Sequence, residues 1–182
     1  AGIVQAEAAL SGTTQDPHVD VKATTADLVV SKEKLERALL RIHVQRKLLT
    51  VVEGSIRGAL ADADVRRFQL NLSDMRMAGD IHVARADLSQ LQNAKSLQLS
   101  GNIRGRVALG GDTRSPQVTA RVQTEDLALG VHALGGGPVT LRLAPESTPN
   151  TSGRVVEVSA RLASDIGLFE LVSAYAIERK MV

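Results

Sequence analysis

The feature that most constrains this chain is a two-residue rhythm of aliphatic side chains that recurs along its length. Val4, Ala6, Ala8 and Leu10 alternate with Gln5, Glu7 and Ala9, and Val19, Val21 and Ala23 alternate with Asp20, Lys22 and Thr24. Ala38, Leu40, Ile42 and Val44 continue it, followed by Phe68, Leu70 and Leu72, then Ile81 and Val83. Further on come Ile103, Val107 and Leu109, then Val118 and Val122, then Leu141 and Leu143. Residues two apart in a strand point to the same side, so each run predicts a strand with one apolar face. Turn formers separate several runs: Gly110-Gly111, Gly135-Gly136-Gly137, and Pro145 to Asn150. Many short strands of this kind fold as a sandwich, a barrel or a solenoid.

A long internal repeat narrows the choice. Gly2 to Val30 aligns without gaps on Gly101 to Leu129, with prolines at 17 and 116 setting an offset of 99. Gly12 matches Gly111, Thr25 matches Thr124, Asp27 matches Asp126, and Leu10-to-Val19 matches Leu109-to-Val118. The same offset pairs Ile42 with Leu141, Val44 with Leu143, and Gly54 with Gly153. A unit this long holds several strands, so it is a super-repeat of a stacked β array. Gly12 or Gly111 permits a sharp strand exit, and Pro17 or Pro116 starts the next strand without wasting a ladder donor. Apolar parity flips across each turn, which returns both strands with their apolar sides on one face. The expected architecture is all-β: an elongated, curved sheet, solenoid-like and forming a groove, with at most one or two short helices. Residues 1–182 read as one segment of a longer repetitive protein, with copies at 2–100 and 101–182, the second incomplete. The chain opens inside an alternating run with neither an initiator Met nor a signal-peptide pattern, which reads as a fragment.

Two stretches stay open between strand and helix, and a third between loop and helix. Ser31 to Leu40 has good helix formers and a candidate N-cap in Ser31, yet its alternation from Ala38 continues as strand. Leu168, Leu171, Val172 and Tyr175 sit at helical spacing. Asp87 to Ser96 reads as a strand-linking loop or a single helical turn.

Composition removes several functions. Phe68, Phe169 and Tyr175 are the only aromatics in 182 residues, which suits a thin layer of aliphatic side chains better than a globular core. The net charge of +2 is balanced and scattered, and stacking platforms are scarce, so nucleic-acid binding is not expected. With no cysteine there is no disulfide scaffold and no Cys-ligated zinc. No apolar run reaches the length of a membrane-spanning helix.

Candidate chemistry is weak. His18, His43, His82 and His132 fall in different elements, and Asp16, His18 and Asp20 share one strand face that could hold a metal. The second copy carries Ser115, Gln117 and Thr119 there, so a solvated polar face is the expected reading. Ser31-Lys32-Glu33-Lys34 has Ser-x-x-Lys spacing but lacks its companion motifs. Gly135-Gly136-Gly137 leads into Pro138 rather than a phosphate loop's Lys-Ser/Thr. Asn71-Leu72-Ser73 and Asn150-Thr151-Ser152 match the glycosylation triplet, a pattern common by chance. No nucleophile, base and oxyanion site assemble, so neither an enzyme nor a cofactor or metal is expected.

Ala86 to Gly130 (ADLSQLQNAKSLQLSGNIRGRVALGGDTRSPQVTARVQTEDLALG), with its second copy at Leu10 to Val30, resembles the TamB-type subunits of the translocation and assembly module and their AsmA-like relatives. The likeness covers about half the chain, rests on degenerate Leu-x-Gly, turn and Pro elements, and fades from Lys32 to Asp80. It implies a taco-like curved sheet with an apolar interior, a bridge-like lipid carrier. It further implies an inner-membrane-anchored protein crossing the periplasm of a diderm bacterium, with membrane attachment through parts outside this segment. The implied partners are phospholipid acyl chains and a TamA-type outer-membrane barrel, and the implied role is outer-membrane biogenesis.

The physical reading agrees with a lipid conduit. An acyl chain needs a dry, continuous lining, and each buried methylene contributes about 0.8 kcal/mol. Two other roles stay open: a scaffold for outer-membrane protein assembly through strand-edge pairing, and a structural β-solenoid with a filled core.

Overall fold

The computed structural model describes residues 2–13, 16–30, 33–145, 153–164 and 167–178. Eleven strands form one antiparallel, open, curved sheet in chain order, each strand hydrogen-bonded to its sequence neighbours. The strands are β1 (Ile3–Gly12), β2 (Pro17–Val30), β3 (Glu33–Gln45), β4 (Leu48–Arg57), β5 (Ala61–Asn71) and β6 (Met77–Asp87). After a helical insert come β7 (Leu99–Gly111), β8 (Pro116–Leu129), β9 (His132–Pro145), β10 (Gly153–Ser164) and β11 (Gly167–Glu178). The insert is a 3₁₀ turn, Leu88–Gln90, and one α-turn, α1 (Gln92–Ser96). Asp87 caps it by accepting from the Ser89 backbone N–H at 2.9 Å and the Ser89 hydroxyl at 2.6 Å, which holds the Asp87 carboxyl below the usual carboxylate range.

Both ambiguous runs are strands where described. Leu35 to Leu40 lies in β3, and Leu168 to Tyr175 lies in β11, where helical spacing of apolar residues reflects a strand apolar on both sides. Ser31, Lys32 and Asn150-Thr151-Ser152 lie outside the described residues. One turn assignment needs correction. Gly135-Gly136-Gly137 is interior to β9, where a Cβ on Gly135 or Gly137 would collide with the Ala163 or Arg161 carbonyl oxygen. The glycines therefore let β9 and β10 approach closely rather than reverse the chain.

The repeat is a repeat of register. Leu10 faces Val19, which faces Val44; ninety-nine residues on, Leu109 faces Val118, which faces Leu143. Gly12 and Gly111 take φ of 88° and 82°, and Asp27 and Asp126 take φ of 51° and 54°, left-handed positions that bend the chain at matching places. The correspondence stops after the third strand. Gly54 sits in mid-β4 opposite Leu40 and Val65, whereas Gly153 begins β10 opposite Glu178.

Among the described residues no second layer covers the sheet. Substantial contact is confined to neighbouring strands and to the helical insert against β7. Among the described residues only Val51, Ala86, Ala94 and Leu162 are buried apolar side chains, and no large side chain is fully enclosed. A filled-core solenoid is therefore absent from the described residues. Soluble domains ordinarily bury an apolar sheet face against another layer; here that face stands open.

Candidate functional site

Paired residues in an antiparallel ladder point to the same side, so register identifies the faces directly. One row runs Val4, Thr25, Ala38, Ile56, Ala63, Val83, Gly105, Val122, Val139, Ala160 and Leu171, one residue from each strand. A parallel row runs Ala6, Ala23, Leu40, Gly54, Val65, Ile81, Val107, Ala120, Leu141, Val158 and Ser173. Neither row carries a charge. At about 4.8 Å per strand they extend for roughly 50 Å along the sheet.

The sequence-expected lining falls on this face almost completely. Ala8, Val21 and Ile42 line up with Val51 and Phe68; Leu10, Val19 and Val44 line up with Leu49 and Leu70. Leu109, Val118 and Leu143 join Val156 and Tyr175, and Ile103 lies between Ala86 and Thr124. Leu72 is the exception. It lies past the end of β5 in a turn, largely exposed, with its N–H donated to the Lys47 carbonyl at 2.7 Å. Exposure varies along the face: Leu10, on edge strand β1, is 77% exposed, whereas Ile103, Val107 and Leu109 in β7 are half-buried by flanking strands.

Sequence reading missed Leu49, Val51, Val65, Val156, Val158 and Leu162, all on the same face. Bulges explain part of this. The register slips between Arg41 and Ile42, and between Arg66 and Gln69, where Arg67 takes φ of 54°. Each extra residue reverses the apolar parity along the strand. The β10 residues carried a signal, since Val156, Val158, Ala160 and Leu162 alternate regularly.

The opposite face is polar. Glu7, Lys22, Arg41 and Glu53 form one row across β1 to β4. Arg104 meets Glu125 at 3.0 Å and Arg161 meets Glu170 at 3.0 Å across neighbouring strands. A hollow of about 510 Å³ between Thr119, Arg121, Thr140, Arg142, Glu157 and Ser159 opens on this side.

The histidine cluster also lies on the polar face. His43 Nδ1 is 2.9 Å from Asp20 Oδ1, and that hydrogen bond raises the His43 pKa above its ordinary 6.5. The Gln45 amide lies 2.8 Å from His18 Nε2, and the two imidazoles meet edge to face at 6.2 Å. Asp16, outside β2, lies 3.6 Å from His18 and 3.5 Å from Arg46. The groups are thus tied up in pairs, and among the described residues no three acidic or histidine side chains converge to hold a metal. Asn71 Oδ1 accepts from the Ser73 N–H at 2.8 Å, a local turn bond.

No family profile, curated protein or solved structure matches this chain.

Proposed function

We propose that this chain carries phospholipid acyl chains along its open apolar face, as a non-enzymatic segment of a periplasm-spanning, inner-membrane-anchored protein that serves outer-membrane biogenesis with a TamA-type barrel partner. The supporting observation is the set of uncharged rows that cross all eleven strands, with no covering layer among the described residues. Small aliphatic side chains hold a hydrocarbon tail by contact alone, at about 0.8 kcal/mol per buried methylene. Such a surface has no charged group to arrest sliding, and its hydroxyls, such as Thr25 and Ser173, are few. The charges that keep the sheet in water lie on the other side.

A photo-crosslinking amino acid placed at Val21, Ile42 or Val107 is expected to label phospholipid, while one at Lys22 or Arg121 is not. Val107→Asp sets a carboxylate in the middle of the row and should lower recovered lipid about ten-fold, the equivalent of losing roughly two methylene contacts. Circular dichroism should retain its strand signal. Equal labelling from both faces would remove the proposal.

A second role is strand-edge pairing: β1, the first strand of the described sheet, carries only Glu7 as a charge and keeps an unbroken register with β2. An incoming strand could extend the sheet there. Competition by an alternating apolar peptide that leaves lipid labelling unchanged would identify this activity separately.

A further inference from the structure

We propose that the polar face holds a phosphate-binding site, in which Arg106 of β7 and Arg121 of β8 clamp a doubly charged phosphate monoester. The site lies opposite the aliphatic rows and does not depend on what those rows carry. Arg106 and Arg121 are direct partners in the ladder. Side chains opposed in this way stand about 5 Å apart at Cβ, and like charges there destabilise the strand pair. Among the described residues neither guanidinium has a carboxylate within ion-pair distance. The next partner of Arg106 is His82, and that of Arg121 is Thr140, so neither flank of the row supplies the missing anion.

The nearby acids are engaged elsewhere. Glu125 meets Arg104 at 3.0 Å, Glu157 meets Arg142 at 3.8 Å, and Asp64, beyond His82 in the same row, is bonded to Arg57. Asp80 lies diagonal to Arg106 but is opposed to Arg66. Uncompensated charge is therefore concentrated in one cross-strand pair. A bilayer surface or a nucleic acid draws on a broad basic field, whereas one pair suits one compact oxyanion. Two guanidiniums match the charge of a phosphate monoester, about −1.5 to −2 at pH 7, and offer planar forks to its oxygens. The hollow of about 510 Å³ beside Arg121 has room for the group that carries the phosphate. Thr119, Thr140 and Ser159 line it with hydroxyls that have no protein partner among the described residues.

The repeat contains its own control. Ninety-nine residues earlier, Arg106 and Arg121 correspond to Glu7 and Lys22, an acid opposed to a base. The first copy continues that row with Arg41 and Glu53, 3.9 Å apart, so its charges are balanced within the sheet. Exchange of a carboxylate for a guanidinium at one matched position leaves the second copy doubly positive. The backbone register is the same in both, so the difference lies in what the position can bind.

That exchange also provides the test. Glycerol 3-phosphate should raise the urea midpoint of the chain to a plateau, because a ligand held only by the folded state stabilises it. Sodium chloride at matched ionic strength screens the repulsion and should give no plateau. Arg106→Glu restores the first copy's pairing. Without ligand its midpoint should lie above that of the unmodified chain, yet its affinity for glycerol 3-phosphate should fall at least ten-fold. Arg121→Gln, which removes the repulsion without adding an acid, should lose affinity to the same degree. Any general strengthening of the fold by phosphate acts on all three chains alike. Glycerophosphoethanolamine, the diester headgroup of a phospholipid, has a singly charged phosphate and should bind more weakly than the monoester. An unchanged response in either variant, a chloride response equal to that of the monoester, or a diester that binds as tightly would each overturn the proposal.

Discussion

The two copies of the repeat share a backbone and differ in what they hang on it. In β1–β3 and β7–β9 the glycine exits, the left-handed aspartates and the apolar register coincide. The polar faces do not: Asp20 and His43 in the first copy correspond to Thr119 and Arg142 in the second. Context differs as well, because in the described sheet β1 has a neighbour on one side while β7 is flanked by β6 and β8. What recurs is what the open apolar face requires: a turn that restores parity and aliphatic side chains at alternate positions. The polar side carries no such constraint.

The sharpest test of that division lies in the turn glycines. A Cβ on Gly111 would sit 2.7 Å from the Ser115 carbonyl oxygen at φ of 82°, and Gly12 faces the same obstacle from the Asp16 carbonyl. We predict that Gly111→Ala costs about 2 kcal/mol or more, combining the left-handed penalty with the clash. Gly12→Ala should cost less globally, since an edge strand relieves strain by fraying. Gly110→Ala, with nothing within 4 Å of the new carbon, should be tolerated. Urea midpoints and amide exchange on β7–β8 against β1–β2 measure this; equal global losses from both turn variants would refute the distinction.

A smaller effect separates two matched threonines. Thr124, only 4% exposed, donates its hydroxyl to the Gly137 carbonyl at 3.0 Å and accepts the Gly137 N–H at 3.1 Å. Thr25 holds the matching position opposite Ala38, and its hydroxyl is buried without a partner. Thr124→Val should therefore destabilise by about 1–3 kcal/mol. Thr25→Val should be neutral or stabilising, because an unsatisfied hydroxyl is removed from an apolar setting. Denaturant unfolding of the two single variants decides it, and a larger loss at Thr25 would contradict the hydrogen-bond assignment.

These contrasts also mark what was legible in the sequence. Alternation identified the apolar side of β1, β2, β3 and β7, because within an unbroken strand the side-chain period is two. The repeat located both hairpins, because each rests on a glycine that a side chain cannot replace. β4 was hidden by a different cause: it pairs Ile42 with Val51 but Arg41 with Glu53, leaving Val52 as an extra residue. A bulge of this kind has no fixed composition, so parity cannot be carried across it. Leu72 failed for a related reason, since alternation continues in the letters after the strand has ended. Leu168 to Tyr175 stayed open between helix and strand because a strand apolar on both faces contains residues at every spacing.

The mildest expected difference is in pH response, and it lies wholly on the polar face. The hydrogen bond to Asp20 favours the protonated form of His43, so its folded pKa lies above the ordinary 6.5. Below 6.5 the imidazole is charged both folded and unfolded, and the pair's contribution is fully present. As pH rises through the raised folded value the charge is lost and the contribution with it. Amide protection along β2–β3 should accordingly decline over that window, while β8–β9, with Thr119 opposite Arg142, should stay level. Asp20→Asn should return the His43 titration, followed through its ring proton resonances, toward 6.5. If the titration does not move, Asp20 is not its cause, and the first copy's polar face would be as indifferent to pH as the second.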